Sequence, residues 1–340
     1  MYLKVQSPLS RQNTPQLNPL STVNRSLWSN NRNRVKKVWA SLITNLSYLP
    51  GILTLSHSLQ TTETAYPFIA LYTSTFPAEG LAALHARGIR TQAVPSVQPG
   101  QSRVFLQDPR FNETWNKLIV FSLVEYDRIV LLDGDMLVRK NMDELMDVPL
   151  DGPGSGLSSE ENKQERVFAA SHVCACNPLN KPHYPKTWIP KNCAYTSQHS
   201  DPVRAQTSGA PAATGVAMLN SGLLVVRPTI SAWAEIQARL HMPDRTDKYT
   251  FPDQELLSDV FRGRWVVLPY VYNALKTLRW EGVHDDIWRD DEVKNVHYIF
   301  ANKPWHEDPD DGMDEPSRWW WEVNRQRQQL EVKKGITDGH

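Results

Sequence analysis

The stretch Ile129-Val-Leu-Leu-Asp133-Gly-Asp135 limits what this chain can fold into more than any other. Four apolar residues, two of them β-branched, run without interruption and stop at two carboxylates one glycine apart. A short apolar run of this kind reads as a buried strand. Strands buried on both faces belong to parallel sheets covered by helices, and open α/β sheets bind ligands beyond the carboxyl ends of their strands. Two acids placed there are costly unless a cation joins them. Hard oxygen ligands point to Mn²⁺ or Mg²⁺ holding a diphosphate. The plainer alternative is a strand followed by an ordinary Asp-Gly turn.

The flanking sequence repeats an α/β alternation. Residues 37–44 predict a first strand, 45–51 a turn, and 52–59 a helix with apolar residues at helical spacing. A strand over 67–72 leads to a helix over 78–87, and a helix over 114–125 feeds the strand that ends at Asp133. A strand resumes at 167–170, and the apolar stretch 216–226 contains Asn220-Ser221-Gly222. Helices over 229–240 and 254–261 precede a short strand at 265–269. This order defines an α/β fold with a mostly parallel sheet. The expected organisation is a disordered basic tail over 1–36, one α/β domain over 37–306, and a closing segment over 307–340 that starts as an acidic loop. A flexible insertion at about 151–165 and a Cys- and Pro-rich excursion at about 172–212 interrupt the domain.

Formal net charge is zero, which argues against a generally basic nucleic-acid binder. The charge is nevertheless polarised: residues 1–37 hold seven Lys/Arg and no acid, while 307–315 hold six acids and no base. Both read as solvated tails or loops. No window approaches the roughly 18 apolar residues of a membrane span. The first residues lack the apolar core of a secretory signal, and three cysteines do not suggest a disulfide framework. A soluble, cytoplasmic protein is the expectation.

Segments spread along residues 37–306 resemble glycosyltransferase family 8, the retaining enzymes that include glycogenin and plant galactinol synthase. They are Leu42-Ile-Thr44-Asn45-Leu-Ser-Tyr48, Asn116-Lys117-Leu118, Asp133-Gly-Asp135, Asn220-Ser221-Gly222, Asp253-Gln254, Tyr272-Asn273 and the run from His297 to Lys303-Pro-Trp305. Glu315-Pro-Ser-Arg-Trp-Trp-Trp is similar to the plant enzymes' C-terminal aromatic helix. The resemblance implies a GT-A-type, Rossmann-like domain with a mixed, mostly parallel central sheet flanked by helices. It implies Mn²⁺ (or Mg²⁺) on Asp133, Asp135 and His297, and Lys303 on the diphosphate of a UDP-sugar. It implies a uracil and ribose cradle of Leu42, Thr44, Asn45 and Tyr48. Lys117, Asn220, Ser221 and Gly222 then face the donor sugar, and Asp253 and Gln254 lie beside the anomeric carbon as the catalytic pair.

These residue types suit that chemistry. A divalent cation stabilises the negative charge that grows on a departing pyrophosphate, and a lysine adds a point charge. A tyrosine ring offers a stacking face, and small polar residues offer hydrogen bonds to a base edge. Polar residues interrupting an apolar run, as at 220–222, cost stability unless their groups are used. Each segment also has a plainer reading. Asn45 or Ser47 could cap a turn and Asp253 a helix. Lys117 could be a solvated helix lysine, and 220–222 a β-bulge.

The pattern departs from glycogenin in places. An arginine nine residues before the sugar-facing lysine is here Asp108, with Arg110 or Arg103 as substitutes. A second acid near Asp253 is here Thr250, and a glycine near His297 is here Phe300. The expected reaction is transfer of a hexose from UDP-galactose or UDP-glucose to the hydroxyl of a small polyol, saccharide or glycoside, with retention. A homodimer is compatible with this reading. A metal-dependent nucleotide-sugar hydrolase, a nucleotidyltransferase and a non-catalytic UDP-sugar-binding protein are the alternatives. Retention proceeds through a covalent intermediate on Asp253 or, as favoured here, by front-face attack with the diphosphate as base. The excursion holds His172, Cys174, Cys176, His183, Cys193 and His199, residue types that bind zinc at a spacing foreign to standard fingers. Its competing reading is an acceptor-site wall buttressed by Tyr184, Trp188 and Tyr195.

Overall fold

The structure is a computed structural model and describes residues 36–100, 104–106, 108–151, 165–308 and 313–340. The expected basic tail, Arg103, most of the 151–165 insertion and part of the acidic loop lie outside them. Ten strands form among the described residues: β1 (Lys37–Ile43), β2 (Phe68–Tyr72), β3 (Arg90–Ala93), β4 (Arg128–Leu132) and β5 (Met136–Val138) in the first half. The second half adds β6 (Phe168–His172), β7 (Leu219–Val226), β8 (Val266–Val267), β9 (Ala274–Leu275) and β10 (Asn295–His297). Seven of them make a central sheet in the order β3-β2-β1-β4-β7-β6-β8. The pairs β1/β2, β2/β3, β1/β4 and β6/β8 are parallel, whereas β7 runs antiparallel to both neighbours. The chain leaves β1 for β2 and β3 on one side and returns to β4 on the other. This reversal of strand order opens a crevice at the carboxyl ends of β1 and β4.

The uninterrupted apolar character of β4 follows from its place in the middle. Ile129 and Leu131 point to one face, packing in the cluster that holds Trp115, Leu118 and Phe121. Val130 and Leu132 point to the other, toward Leu55, Leu59 and Met136. All four strand residues are fully buried, a gain of roughly 1.5–3 kcal/mol each by burial alone.

Seven helices cover the sheet among the described residues: α1 (Leu49–Thr61), α2 (Ala78–Ala86), α3 (Pro202–Ala205), α4 (Ile230–Leu240), α5 (Pro243–Thr246), α6 (Pro252–Val260) and α7 (Glu315–Lys333). α4 begins where the sequence signals it, with the Thr229 hydroxyl accepting the Ala232 N–H at 3.1 Å. No helix among the described residues is long and apolar enough to cross a membrane.

The helix expected over 114–125 is instead a run of 3-10 turns, Thr114–Ser122. No side chain caps its start. The β-branched pair Ile119-Val120 disfavours an α-helix. Asn116 is drawn sideways, its Oδ1 accepting from Val97 N at 2.7 Å and Ser96 Oγ at 2.8 Å. A second sheet, β5-β10-β9, goes beyond the sequence reading. Its strands have two or three residues, too few to show a period.

Candidate active site

Strand pairing builds the centre of the site. Asp133 follows β4 directly, and its N–H donates to Gly222 O on β7 at 2.8 Å. In the second sheet His297 pairs with Met136, the residue after Asp135, and Tyr298 N–H donates to Asp135 O at 2.9 Å. The antiparallel β5/β10 ladder thus carries a distant histidine to the Asp-Gly-Asp turn. His297 Nε2 lies 3.4 Å from Asp135 Oδ1 and 3.8 Å from Asp133 Oδ2. The other ring nitrogen, Nδ1, lies 2.9 Å from Asn273 Oδ1, which makes it the donor and leaves the Nε2 lone pair facing the acids. Asn273 donates in turn to Asn220 Oδ1 at 2.8 Å, and Asn220 Oδ1 also accepts the Gly222 N–H at 3.0 Å.

One ligand atom from each of Asp133, Asp135 and His297 fits within a 4.8 Å cluster. Asp135 Oδ1 is buried and has no hydrogen-bond partner among the described residues. A buried carboxylate oxygen left in that state is costly, and a divalent cation between the three groups removes the cost. Two carboxylates and an imidazole are a fitting donor set for such an ion.

Two lysines frame the acids. Lys303, 1 % exposed, pairs with Asp135 Oδ2 and donates to Tyr298 O at 2.7 Å. Lys117 donates to Asp133 Oδ2 at 2.8 Å and lies 3.7 Å from Asp253 Oδ2, bridging two carboxylates. Burial pushes both acids up. At Asp135 the buried Lys303 charge outweighs it and holds the carboxyl well below the usual range. At Asp133 burial, helped by the Asp135 charge, wins over Lys117 and the carboxyl is raised. Burial also opposes the lysine charges, but Asp133 and Asp253 hold Lys117 above its ordinary value while Lys303 is depressed. A buried lysine of that kind is best satisfied by an additional anion.

The residues expected at the metal, the donor and the anomeric carbon all line one cleft of about 430 Å³. Leu42, Thr44, Asn45 and Tyr48 sit at the end of β1. Lys117 is on the 3-10 run, Asn220, Ser221 and Gly222 enter β7, and Asp253 and Gln254 lie in the first turn of α6. The plainer readings divide. Asn45 does cap a turn, accepting from Ser47 N at 3.1 Å while facing the cleft. Asp253 does not cap α6, because the N-cap is Phe251 and Glu255 accepts the Thr250 and Phe251 N–H groups. Asp253 is 3 % exposed, and its Oδ2 has no hydrogen-bond partner among the described residues. The β6/β7 ladder shifts register opposite 220–225, so an irregular ladder coexists with the polar step. Tyr48 stands edge-on to Trp305 at 5.8 Å, and burial, then the Asp135 charge, pushes its hydroxyl up to about 12. It remains a neutral phenol.

Of the two arginines considered beside Asp108, Arg110 is among the described residues and Arg103 lies outside them. The Asp108 carboxylate grips the Arg110 guanidinium, whose Nη1 also donates to Phe300 O at 2.6 Å, and Arg110 lines the cleft. The adjacent Asp108-Pro-Arg110 spelling was the available signal. Phe300 has φ +74, the left-handed region that favours glycine, which accounts for the glycine expected there. An aromatic wall around Phe251 was not anticipated as a unit: Trp188 stacks on it at 4.6 Å, Tyr184 meets it edge-on at 5.0 Å and Phe111 at 5.6 Å. Tyr184 and Trp188 do face the cleft. Tyr195 does not line it, being buried with its hydroxyl on His172 O at 2.7 Å.

A mixed Rossmann-like sheet with an acid pair and a histidine at its strand-order reversal is the GT-A arrangement of glycosyltransferases. Solved structures share this fold. The galactosyltransferase LgtC, in complex with donor and acceptor sugar analogs, superposes with a TM-score of 0.53 at 16% identity, over 85% of this chain and 96% of that one. The glycosyltransferase GlyE of Streptococcus pneumoniae gives 0.53 at 15% identity, over 89% of this chain and 65% of that longer one. The sequence profile of "Glycosyl transferase family 8" matches residues 40–309, and the chain belongs to that family. Galactinol synthase 6 of Arabidopsis thaliana is 23% identical over 301 residues, covering 85% of this chain and 81% of the relative.

Proposed function

We propose that this glycosyltransferase moves a hexose from UDP-galactose or UDP-glucose to an acceptor hydroxyl, with retention and with Mn²⁺ (or Mg²⁺) at Asp133, Asp135 and His297. The buried, unpaired Asp135 Oδ1 beside His297 Nε2 carries this reading. When bound, the cation supplies Lewis-acid stabilisation of the diphosphate charge that grows as the glycosidic bond breaks.

Lys303 and Arg110 add fixed positive charge on the same side of the cleft, and a charge already in place costs no reorganisation during reaction. Tyr48, Thr44 and Asn45 offer a ring face and base-edge hydrogen bonds for a uridine at the end of β1. Lys117, tied to both Asp133 and Asp253, orients the donor sugar, with Asn220, Ser221 and Gly222 behind it. Asp253 and Gln254 position the sugar and the incoming hydroxyl, the diphosphate taking the proton in a front-face reaction. The Trp188, Tyr184 and Phe251 wall offers apolar ring surface to the acceptor. A polyol such as inositol suits the likeness to the galactinol synthases, and a saccharide or glycoside is the second option. The catalytic domain is assigned to 37–306.

An acceptor screen with UDP-galactose and UDP-glucose, followed by NMR of the product anomer, tests the reading. An α-glycoside formed only with acceptor and divalent cation supports it. Free hexose released at the same rate without acceptor would make the protein a hydrolase, and UDP binding without any turnover would make it a binding protein. Asp253→Asn separates the two retaining routes: substantial surviving turnover excludes a covalent intermediate on Asp253, while a fall to background favours one.

A further inference from the structure

All three cysteines of the chain converge on one imidazole outside the Asp133 centre. Cys174 and Cys176 follow β6, Cys193 lies between two 3-10 turns, Pro190–Asn192 and Ala194–Gln198, and His284 arrives from the loop after the 3-10 turn Lys276–Arg279. One ligand atom from each of the four lies within 4.8 Å of the others. His284 Nε2 is 3.1 Å from Cys176 Sγ and 3.3 Å from Cys193 Sγ. The thiols are unbridged. Cys174, Cys193 and His284 are buried and Cys176 is half-buried.

Free cysteine packs as a small hydrophobe, and Cys174 and Cys193 belong to an apolar cluster, but packing alone does not require three sulfurs to meet on one imidazole from a separate loop. The set is a Cys₃His donor set, which zinc takes in closed four-coordinate sites. We propose that Cys174, Cys176, Cys193 and His284 hold one structural Zn²⁺.

The surroundings are those of a metal histidine. His284 Nδ1 lies 2.8 Å from His199 Nε2, and His199 Nδ1 lies 3.0 Å from Asp286 Oδ2. This relay fixes the His284 ring with Nε2 toward the sulfurs, as carboxylate–histidine pairs do around zinc. The Ala175 N–H points at Cys193 Sγ from 3.4 Å, a donor suited to a thiolate. Zinc binding releases the thiol protons to solvent and leaves three thiolates on the ion. The histidines suggested by the sequence are otherwise engaged: His172 Nε2 is 2.9 Å from Ala210 O, and His183 packs edge-on to Tyr184. His199 sits behind the ligand instead of serving as one.

Four protein ligands leave no open position, so the ion is a clamp and not a second catalytic centre. It fastens the 173–199 excursion to the 284 loop. That excursion supplies Asn177, Tyr184 and Trp188 to the cleft. The clamp therefore holds one wall of the site in shape, and its existence does not depend on the identity of donor or acceptor.

The test is the metal content of the full chain after passage over chelating resin, measured by plasma mass spectrometry. One zinc per chain is expected in the wild type and equally in a Asp133→Ala/His297→Ala variant, with near-complete loss in Cys193→Ser. Cobalt exchanged into the wild type should give thiolate-to-cobalt charge-transfer absorption and tetrahedral d–d bands. If Cys193→Ser does not fold, the wild-type zinc and the cobalt spectrum decide alone. Zinc far below one equivalent, a disulfide among the three cysteines, or zinc lost in the Asp133/His297 variant while kept in Cys193→Ser would each overturn the assignment.

Discussion

A Cβ on Gly222 would stand 2.3 Å from His297 Cε1 and 2.7 Å from its Nδ1, closer than side-chain carbons approach anything. The glycine in Asn220-Ser221-Gly222 thus serves the imidazole, which sits against the β7 backbone while Asn273 and Asn220 hold its orientation. Gly222→Ala must displace the ring, and Asn273→Leu must free it to rotate. Each should weaken divalent-cation affinity by about 10- to 100-fold, the usual effect of removing an outer partner of a metal ligand. Titration of Mn²⁺ by calorimetry measures this, and unchanged affinity in both variants would show that the His297 orientation is set elsewhere. The same residue shows what sequence can convey. Asp133 and Asp135 are legible because a strand end and its turn are contiguous. His297 is legible only through the motif it shares with Lys303, because the β5/β10 ladder that seats it is three residues long. His284 was missed, since nothing local marks a residue whose partners lie about a hundred positions away.

At the level of elements, α7 shows how a segment remote from the cleft holds it. Its start is fixed by Asp314, which accepts the Ser317 N–H at 3.0 Å and pairs with Lys276 at 2.9 Å, with Pro316 in the first turn. Trp320 is fully buried beside Trp305 at 5.5 Å, and Trp321 Nε1 donates to Pro304 O at 3.0 Å. Both contacts brace the Lys303-Pro-Trp segment. Trp320→Ala should cost about 3–5 kcal/mol in denaturant unfolding and should weaken UDP binding through a loosened Lys303. Loss of stability with UDP affinity intact would limit α7 to a purely structural part. Asp314→Ala should cost about 1 kcal/mol, as for other helix N-caps. Burial raises the Asp314 carboxyl, but Lys276 and the Ser317 N–H outweigh it, so the folded value lies below the free value of 3.8. With a depressed folded value, the stabilisation is complete above the unfolded pKa and fades as pH falls through the folded one. The gap between wild type and Asp314→Ala in urea midpoints should therefore narrow in acid below about pH 4. The helix itself was legible through the likeness of its aromatic run to the plant enzymes' C-terminal helix. The 3-10 character of Thr114–Ser122 was not, because the Asn116 side chain that contributes to it is held by Ser96 and Val97 from a distant segment.

On the scale of the whole molecule, the crevice between β1 and β4 gathers groups that fit poorly in a folded protein without a ligand. Asp135 Oδ1 and Asp253 Oδ2 are buried without hydrogen-bond partners among the described residues, and Lys303 is depressed by burial. Such polar groups cost stability until something binds them. The cation and the diphosphate should therefore stabilise the fold together more than the sum of either alone, because each supplies the charge the other needs. Ligand binding at a hundred times Kd stabilises by about 2.7 kcal/mol, visible as an upward shift in thermal unfolding. The shift with Mn²⁺ and UDP together should exceed the sum of the separate shifts in the wild type. In Asp135→Asn the synergy should vanish and the unliganded midpoint should fall, because Lys303 loses its buried carboxylate partner. A variant that keeps the synergy would place the ion away from Asp135, and an unchanged or higher unliganded midpoint would show that the Lys303–Asp135 pair contributes nothing to the fold.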